Sequence, residues 1–495
     1  MKKITLLNIS TSLFLQFITI ISGFIIPKII LETFGSEVNG LVSSITQFLN
    51  YVTLIEGGIG GVVLANLYKP LYNNDVDMIS SIINTANRFY RKIGFIFILY
   101  TIGLALIYPL IFKSSFSYLY VSTLTLILSL SLFIQYMFSL TFRNLLTADK
   151  KVYIVSLIQI VITLLNILFT YLCVKIYPSI HFLKLMLGIV FLIQPLILSI
   201  YVKKKYNLKR NAIYDNKLLE SRWNGFAINL ASFIHNSTDI AVLTIFTNLS
   251  MVSVYSVFCL VSGGLKQVIS SVATGINPTI GKSYASGDLN DLNMKFDMYE
   301  YIIFMLVFIF FGTAIFLINP FIHLYTAKIS DAQYNQPLFG CLLLISEALY
   351  LIKFPHLNLA YAANKFKELT IPSFFEAMIN IVISIILVWK HGLIGVTIGT
   401  IVAMIYRMIF HIKFTKRLIP SRKISTFYKK MIIFLITYLI GSIVILFFPI
   451  TKITIISWIL HGTVYMIIYT ILFLIMSIIF YKKELMYLKK YLFRK

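Results

Sequence analysis

Apolar runs of about twenty residues or slightly more recur along the whole chain, with short polar segments between them. A run of that length crosses the roughly 30 Å hydrocarbon core of a bilayer as a helix, and none of the runs alternates like a barrel strand. The pattern predicts fourteen membrane spans, at Leu6–Ile26, Leu41–Asn66, Ile93–Phe112, Leu119–Leu145, Val152–Val174, Phe182–Val202, Trp223–Thr247, Met251–Pro278, Tyr301–Tyr325, Pro337–Ala360, Leu369–Trp389, Leu393–Phe414, Met431–Phe448 and Ile453–Tyr481.

Composition agrees with this pattern. Of the 495 residues, 59% are hydrophobic and 12% are charged, whereas an ordinary soluble domain has about 25% charged residues. A lipid environment allows helices or a closed barrel, and the runs lack the two-residue period of a barrel. We therefore predict an all-α polytopic membrane protein.

The formal net charge of +25 would also suit a protein that binds nucleic acid, so the position of the charges matters. Most Lys and Arg residues lie at alternate span ends, on the side where both termini lie, in clusters such as Lys203–Arg210 and Lys416–Lys423. The positive-inside rule then places both termini in the cytoplasm. We interpret the clusters as topology signals attracted to anionic membrane lipids, and no nucleic-acid partner is predicted.

The loops and motifs argue against an enzyme. Every predicted connection is about twenty residues or shorter, and the sequence has no HExxH, no GxxxxGK[ST] and no nucleophile near a base. Cys173, Cys259 and Cys341 occur singly in or beside apolar spans, so no disulfide framework or CxxC metal motif is present. We predict no catalytic site, no metal and no cofactor. The apolar run in Met1–Ile26 is too long for a cleaved signal, so we interpret it as the first span.

The chain contains a weak internal repeat. The segment Leu145–Ser156 resembles Leu359–Ser373, and Leu71–Ser80 resembles Tyr284–Asn293. The matched positions are Ala148 with Ala363 and Lys150 with Lys365, both at an offset of 215, and Asp75 with Asp288 at an offset of 213. Chance matches between apolar helices are the alternative, but agreement among the offsets favours a true repeat.

The repeat predicts the domain organisation. It gives two pseudo-symmetric six-helix bundles, at 1–206 and 217–416, followed by two additional helices within 430–481 and a basic cytoplasmic tail, 482–495. Each repeat begins inside and has an even number of spans, so the two share one orientation, as in parallel-repeat transporters that work by alternating access. We expect a central cavity between the bundles.

Four charged residues lie too deep in their predicted spans to reach water. Lys266 lies twelve residues, about 18 Å of helix, from Pro278, and Glu347 lies about as deep. Glu56 and Asp239 are only slightly shallower. Because an unpaired charge at such depth costs a few kcal/mol, we expect these four to face a wet cavity or an opposite charge.

Three other basic residues, Arg143, Arg407 and Lys353, lie within about seven residues of the predicted cytoplasmic boundary. For these the sequence favours snorkelling, in which the stem is buried and the charged head stays at the interface.

The stretch LIEGGIGG, at Leu54–Gly61, surrounds Glu56 with glycines. The repeat sets Lys266 against Thr53, one helical turn from Glu56, so we predict that Glu56 and Lys266 both line the central cavity. The glycines either allow close helix packing or make a flexible point, and packing is favoured.

The seventh span has a polar stripe with residues three or four positions apart. Its members are Asn229, Ser232, His235, Asn236 and Asp239. A stripe of this kind either joins helices by hydrogen bonds or contacts a ligand. His235 and Asp239, at i and i+4, are suited to relay protons or to bind a cation, and a structural His–Asp hydrogen bond is the equal alternative.

Three segments resemble a known family. Ile26–Ser44 has a proline, two glycines and a short external turn, and a long second span leads from it to Asn66–Asp77. In Val254–Leu292 a proline-containing helix end leads into a small-residue, acidic loop. These stretches resemble Wzx-type polysaccharide exporters, and the likeness covers nearly the whole chain. The superfamily that shares these motifs also contains lipid II flippases and multidrug extruders.

The resemblance implies a flippase that translocates undecaprenyl-diphosphate-linked oligosaccharide units across the bacterial cytoplasmic membrane, for capsule, O-antigen or exopolysaccharide synthesis. It implies glycosyltransferases and a polysaccharide polymerase as partners. A lipid II flippase, a cation-coupled multidrug exporter and a non-transporting scaffold for glycan assembly stay open as alternatives.

The same resemblance assigns candidate residues. Lys266 is the first candidate for the diphosphate, and the others are Lys28, Lys353, Arg143 and Arg407. Related flippases tend to carry Arg where Lys28 stands, and Lys lacks the bidentate fork of Arg. The candidates for coupling transport to H⁺ or Na⁺ are Glu56, Asp239, His235 and Glu347.

Overall fold

The structure is a computed structural model that describes residues 2–56, 58–112, 115–209, 212, 233, 237–482 and 484–486. In these ranges every regular element is helical, and no strand is present. The helices are α1 (Lys2–Asn50), α2 (Thr53–Glu56), α3 (Ile59–Asn73), α4 (Val76–Ile111), α5 (Tyr118–Ile134), a π-helix (Gln135–Ser139), α6 (Leu140–Ala148), α7 (Val152–Ile176), α8 (Ile180–Phe191), α9 (Ile193–Lys205), α10 (Ser237–Phe246), α11 (Leu249–Ala285), α12 (Leu289–Tyr325), α13 (Pro337–Ile352), α14 (Phe354–Ala362), α15 (Phe366–Leu418), α16 (Ile424–Ile445) and α17 (Ile455–Phe480). The predicted all-α polytopic class is confirmed.

Eleven helical stretches in the described part of the chain are long and apolar enough to cross a membrane. Two of them, Leu6–Glu56 and Phe366–Leu418, have 51 and 53 residues, which as straight helices would extend about 75 Å, more than twice the bilayer core. Each contains a kink at a glycine with positive φ, Gly35 at 81° and Gly392 at 50°. Phe366–Leu418 therefore includes two predicted spans, and Leu6–Glu56 includes the first predicted span and the first part of the second. Apart from Phe233, the first part of the predicted seventh span lies outside the described residues, and α10 is its described end.

The two halves of α15 approach each other closely after the kink at Gly392. A Cβ added at Gly399 would lie 2.3 Å from Ser384 Oγ, and one added at Gly395 would lie 2.5 Å from the carbonyl oxygen of Leu387. Small residues four positions apart let membrane helices pack backbone to backbone. These two glycines therefore set the distance between the halves of α15.

A Gly399→Val variant is expected to unfold several degrees below the wild type. The valine side chain must displace Ser384 and its backbone, and overpacking of this kind costs about 1–3 kcal/mol. The measurement is the thermal unfolding midpoint of the purified protein in detergent. The control is Gly103→Val in α4, where an added Cβ meets no atom within 4 Å. Equal midpoints for the two variants would contradict close packing at Gly399.

The chain forms two compact units, unit 1 (Met1–Ser253) and unit 2 (Val254–Lys495). In unit 1, α10 and the start of α11 are joined to α1 by hydrogen bonds, one of 2.8 Å between Ser44 Oγ and Thr244 Oγ1 and one of 2.8 Å from Asn39 Nδ2 to Ser253 Oγ. The predicted bundle border at 206–217 follows the repeat and not these contacts, and it stays a prediction.

The two units contain matching helix starts. Asp75 caps α4 by accepting a hydrogen bond from the backbone of Met78, and Asp288 caps α12 in the same way. Each aspartate follows a residue in the left-handed region, Asn74 in unit 1 and Gly287 in unit 2. Side-chain caps of this kind satisfy the free amides at a helix start. The offset of 213 at this anchor therefore has the same local structure in both units.

The predicted match of Leu145–Ser156 with Leu359–Ser373 is displaced by one residue. Helices α6 and α14 are both nine residues long and start at an offset of 214, and each is followed by a left-handed residue, Lys150 in unit 1 and Asn364 in unit 2. The turn therefore aligns Lys150 with Asn364, and the predicted match of Lys150 with Lys365 is wrong. Adjacent identical residues, Lys150–Lys151 and Ala362–Ala363, allowed the sequence match to slip.

Candidate functional site

Unit 2 contains a group of charged side chains in its membrane-spanning helices, which we call the charged centre. Lys266 lies on α11, Glu347 on α13, Lys353 between α13 and α14, and Glu376 and Arg407 on α15. The break between α13 and α14 leaves Lys353 as the single residue that links them. Four separate segments thus bring three basic and two acidic side chains into one unit.

Lys266 forms an ion pair with Glu347. The ammonium lies 3.0 Å from Glu347 Oε2, and the two side chains are 17% and 16% exposed, so this pair is the accessible part of the centre. The ring of Tyr350 contacts two ammonium groups, with Lys266 Nζ 4.2 Å and Lys353 Nζ 4.6 Å from its centroid. Because an aromatic face attracts cations, Tyr350 stabilises both lysines at once.

Lys353 and Arg407 share one carboxylate, Glu376. Lys353 Nζ lies 3.2 Å from Glu376 Oε1, and Arg407 Nε lies 3.2 Å from Oε2. Both basic residues are only 3% exposed, so the prediction that they snorkel is wrong. The physical reason is that the Glu376 carboxylate stabilises both cations, in place of the water that they would contact at the membrane interface. Arg143, the third residue for which snorkelling is predicted, is exposed.

The charged centre has one formal positive charge in excess when all five groups are ionised. A charge held in a membrane span is costly and usually marks a substrate or ion pathway. An excess of positive charge beside a partly exposed lysine suits an anionic group. The centre can therefore bind a phosphate or carboxylate that competes with Glu347 for Lys266.

A second group in unit 2, the Glu300 cluster, consists of Asp297, Glu300, His356, Arg422 and Lys430. Glu300 is fully buried, and its Oε2 lies 2.7 Å from Arg422 Nη2 and 2.6 Å from Lys430 Nζ. Its Oε1 lies 3.0 Å from His356 Nε2. Burial alone would lower the pKa of Arg422, but the carboxylates of Glu300 and Asp297 raise it above its usual value. The cluster ties α12, α14 and α16 together, which is a structural role.

The sequence interpretation missed Glu376 and Glu300. Each lies in or beside an apolar span, and an acidic residue there is a signal for a buried partner. Arg422 belongs to the cluster Lys416–Lys423, interpreted above as a topology signal, yet it is buried in ion pairs, as is Lys430.

In unit 1, Glu56 lies at a break in the predicted second span. Helix α2 ends at Glu56, and α3 begins after Gly58, which has a φ of 83°. Tyr136, in the π-helix, donates a 3.2 Å hydrogen bond to Glu56 Oε2. A Cβ added at Gly61 would meet nothing within 4 Å, and one at Gly60 would have its nearest neighbour at 3.8 Å. Gly60 and Gly61 therefore show no tight helix contact and Gly58 interrupts the helix, while the choice between packing and flexibility for the whole stretch stays a prediction.

The remaining candidates are dispersed. Lys28 on α1 lies 3.9 Å from Glu32 one turn later, and its side chain is 42% exposed. Asp239 is buried in α10, whereas His235 lies outside the described residues, so the predicted His–Asp pair stays a prediction. Lys266 has its carboxylate partner within its own unit, and its relation to Glu56 across the central cavity also stays a prediction.

Comparison with known proteins shows which solved structures have a similar fold. The sequence matches no protein-family model and no curated protein. The structure is similar to the lipid II flippase MurJ in an inward closed conformation, with a TM-score of 0.72 and 18% identity over 97% of this chain and 99% of that one. It is also similar to an inward-facing multidrug resistance MATE family transporter of the MOP superfamily, with a TM-score of 0.66 and 15% identity over 81% of this chain and 96% of that one.

A third similar structure is the MATE multidrug transporter DinF-BH, with a TM-score of 0.62 and 15% identity over 84% of this chain and 97% of that one. Likeness at these identities concerns the fold and leaves the substrate open. This chain is a multi-pass membrane protein with the all-helical fold of the MOP-superfamily transporters.

Proposed function

We propose that this protein is a flippase for undecaprenyl-diphosphate-linked oligosaccharide units in the bacterial cytoplasmic membrane, serving capsule, O-antigen or exopolysaccharide synthesis. The observation that carries the proposal is the charged centre of unit 2, in which three basic side chains face two carboxylates inside membrane spans. A diphosphate headgroup is a polyanion, and a fixed excess of positive charge in a site of low dielectric constant attracts it.

The two parts of the centre have different roles in this proposal. Lys353 and Arg407 are buried against Glu376 and hold the positive charge in place. Lys266 is partly exposed, so it contacts the diphosphate, and its ion pair with Glu347 breaks as the diphosphate binds. Glu347 then becomes free to take up H⁺ or Na⁺, which links substrate binding to the coupling ion. Glu56, Asp239 and His235 are the other coupling candidates.

An exporter of cationic drugs is the weaker candidate on the same fold. Such a substrate requires an excess of acidic groups, and the charged centre has an excess of basic ones. This excess favours a lipid-linked anion, with a glycosyltransferase before the flippase and a polysaccharide polymerase after it.

The test is a flipping assay with the purified protein in liposomes and three substrates in separate arms. The arms contain undecaprenyl-diphosphate-linked oligosaccharide, lipid II and a cationic dye. A membrane-impermeant lectin or sugar-modifying enzyme reports the headgroup that reaches the opposite leaflet. We expect the oligosaccharide lipid to be translocated, and Lys266→Ala to slow it at least about tenfold, because a hydrogen bond to a charged group contributes about 1.5–3 kcal/mol.

The control is Lys282→Ala, which removes an exposed lysine from the same helix and should leave the rate unchanged. Translocation of lipid II alone would reassign the protein as a lipid II flippase, and movement of the dye alone would make it a drug exporter. Absence of transport in all three arms from a folded protein would favour the scaffold.

A further inference from the structure

Glu56 is a carboxylate in a predicted span that has no basic partner among the residues that the structure describes. Glu300, Glu347 and Glu376, the acids of unit 2 discussed above, each lie within 3.2 Å of a basic nitrogen. Arg143 acts on Glu56 through its electric field, but it is exposed and forms no ion pair with it. A carboxylate without a counter-charge inside a membrane is costly and usually marks a substrate or ion pathway. Glu56 therefore requires a positive charge that the described side chains do not provide.

Glu56 also stands at the end of a broken helix. The helical stretch Leu6–Glu56 ends at this residue, and α3 begins after Gly58, whose φ of 83° interrupts the helix. The last carbonyl groups of a helix carry partial negative charge, so a helix end inside the membrane attracts a cation. Broken helices form the ion sites of many transporters for this reason. The backbone at the break thus has the same polarity as the carboxylate.

Three polar atoms from three helices converge beside Gly60, in the first turn of α3. A Cβ added at this glycine would lie 3.8 Å from Tyr90 Oη, 3.9 Å from Asn144 Nδ2 and 3.9 Å from Glu56 Oε1. Because glycine has no side chain, a space as large as a methyl group lies among these atoms. We call this space, with the three polar side chains around it, the Gly60 site.

Hydrogen bonds fix the orientation of the side chains in the Gly60 site. Tyr136 donates a 3.2 Å hydrogen bond to Glu56 Oε2, which leaves Oε1 as the oxygen beside Gly60. Asn144 Nδ2 donates a 3.0 Å hydrogen bond to Tyr90 Oη. Tyr90 and Tyr136 are 0% and 2% exposed, and Tyr136 belongs to the π-helix, an irregularity that is frequent at functional sites. The fold therefore holds a carboxylate oxygen in a defined place beside a small polar space.

We propose that the Gly60 site binds Na⁺ and that this ion drives transport, a role that rests on the flippase function proposed above. Glu56 Oε1 contributes the negative charge, and Tyr90 Oη contributes a neutral oxygen. Half a turn of the Asn144 amide presents Oδ1 in place of Nδ2, and the Tyr90 hydroxyl then donates to it. A single carboxylate matches a single positive charge, whereas a divalent cation would leave an excess charge inside the membrane.

The geometry favours a metal ion over a proton at Glu56. A proton requires one carboxylate oxygen, whereas oxygen atoms from separate helices around one small space are the ligands that a hard cation prefers. A proton also needs no space beside Gly60. A methyl group at Gly60 therefore separates the two ions, because it fills the space and leaves the carboxylate in place.

The experiment measures binding of radioactive Na⁺ to the purified full-length protein in a nonionic detergent, without any lipid-linked substrate. Choline replaces Na⁺ to keep the ionic strength constant, and the pH is fixed. The variant Gly60→Ala is compared with Gly61→Ala, the same change at the next residue of α3, where an added Cβ meets no atom within 4 Å. Alanine is favoured over glycine in a helix, and neither methyl group meets an atom closer than 3.8 Å, so both variants should fold.

We expect saturable Na⁺ binding to the wild type and to Gly61→Ala. The apparent Kd should be at least about tenfold higher in Gly60→Ala, which fills the space, and in Glu56→Gln, which removes the charge. In the liposome assay the wild-type flipping rate should rise with an imposed Na⁺ gradient, and Gly60→Ala should lose this dependence. If Glu56→Gln does not fold, the two alanine variants decide alone.

The binding and transport results separate this proposal from the proposed function. Absence of flipping with every lipid would refute the flippase and the driving role, and the Na⁺ site would still be supported by its own binding data. A flipping rate that ignores the Na⁺ gradient would overturn the driving role. Equal Na⁺ affinity in Gly60→Ala and Gly61→Ala would overturn the site. A wild type without saturable Na⁺ binding would overturn it too, and a response of transport to pH alone would then assign Glu56 to H⁺.

Discussion

A Glu300→Gln variant is expected to lose about 3–5 kcal/mol of stability. The substitution leaves Arg422 and Lys430 in a buried site without the carboxylate that both contact, at 2.7 and 2.6 Å. Glu300 itself is fully buried, so water cannot replace the lost charge without opening the contact of α12 with α16. The thermal unfolding midpoint in detergent should fall sharply, together with the yield of folded protein.

Two further variants make this expectation specific. Glu368→Gln removes a carboxylate from an exposed pair with Lys365 on α15, and the midpoint should stay at the wild-type value. Glu300→Gln/Lys430→Met removes the acid together with Lys430, whose other carboxylate neighbour, Asp297, lies 3.9 Å away, and it should recover part of the lost stability. A Glu300→Gln midpoint equal to that of Glu368→Gln would show that the cluster contributes little.

The helices were predictable from sequence because lipid imposes a length and a composition on every span. Apolar runs of about twenty residues mark the spans whatever side chains they contain, and the two halves of α15 were separated correctly at the polar residues near Gly392. The break at Gly58 corresponds to the less favoured alternative for the glycines near Glu56, and the breaks at the π-helix that contains Tyr136 and at Lys353 were not predicted. Hydropathy does not change at a break, so composition alone cannot locate it.

The candidate site was predictable only in part, for a different reason. Depth along the chain identified Lys266 and Glu347 as residues that need a partner, and the structure brings them together at 3.0 Å. The depth of Lys353 in its predicted span also placed its charged head at the membrane interface, because the cytoplasmic end of that span lies close along the chain. Its actual partner, Glu376, lies 23 residues further on and on another helix. Pairing across helices is a tertiary property that no distance along one helix contains.

Charge position had the same limit. Counting Lys and Arg on each side of the membrane predicts an orientation, but it treats three kinds of basic residue alike. Lys430 is buried in an ion pair, Lys203 lines a cavity, and Lys204 is exposed beside it without lining it. Local sequence is alike in the last two, and only the tertiary packing around the end of α9 separates them. The basic residues at the span ends of a membrane protein therefore include buried, cavity-lining and exposed side chains that the orientation rule cannot distinguish.

The charged centre allows structure and transport to be tested separately. Glu376→Gln raises the formal charge of the group formed by Lys353, Glu376 and Arg407 by one, and leaves both bases buried without an acid. We expect this variant to be destabilised by about 3–5 kcal/mol and to lose transport of the oligosaccharide lipid in the liposome assay. The measurements are the unfolding midpoint and the flipping rate.

The double variant Glu376→Gln/Lys353→Met restores the original formal charge of that group and removes one of the two stranded cations. Methionine fills much of the volume of the lysine stem, so the unfolding midpoint should return most of the way to the wild-type value. Transport should not return with it, because Lys353 also contacts Tyr350, which in turn contacts Lys266. Recovery of stability together with full transport would mean that Lys353 and Glu376 only balance each other, and that the substrate is bound elsewhere.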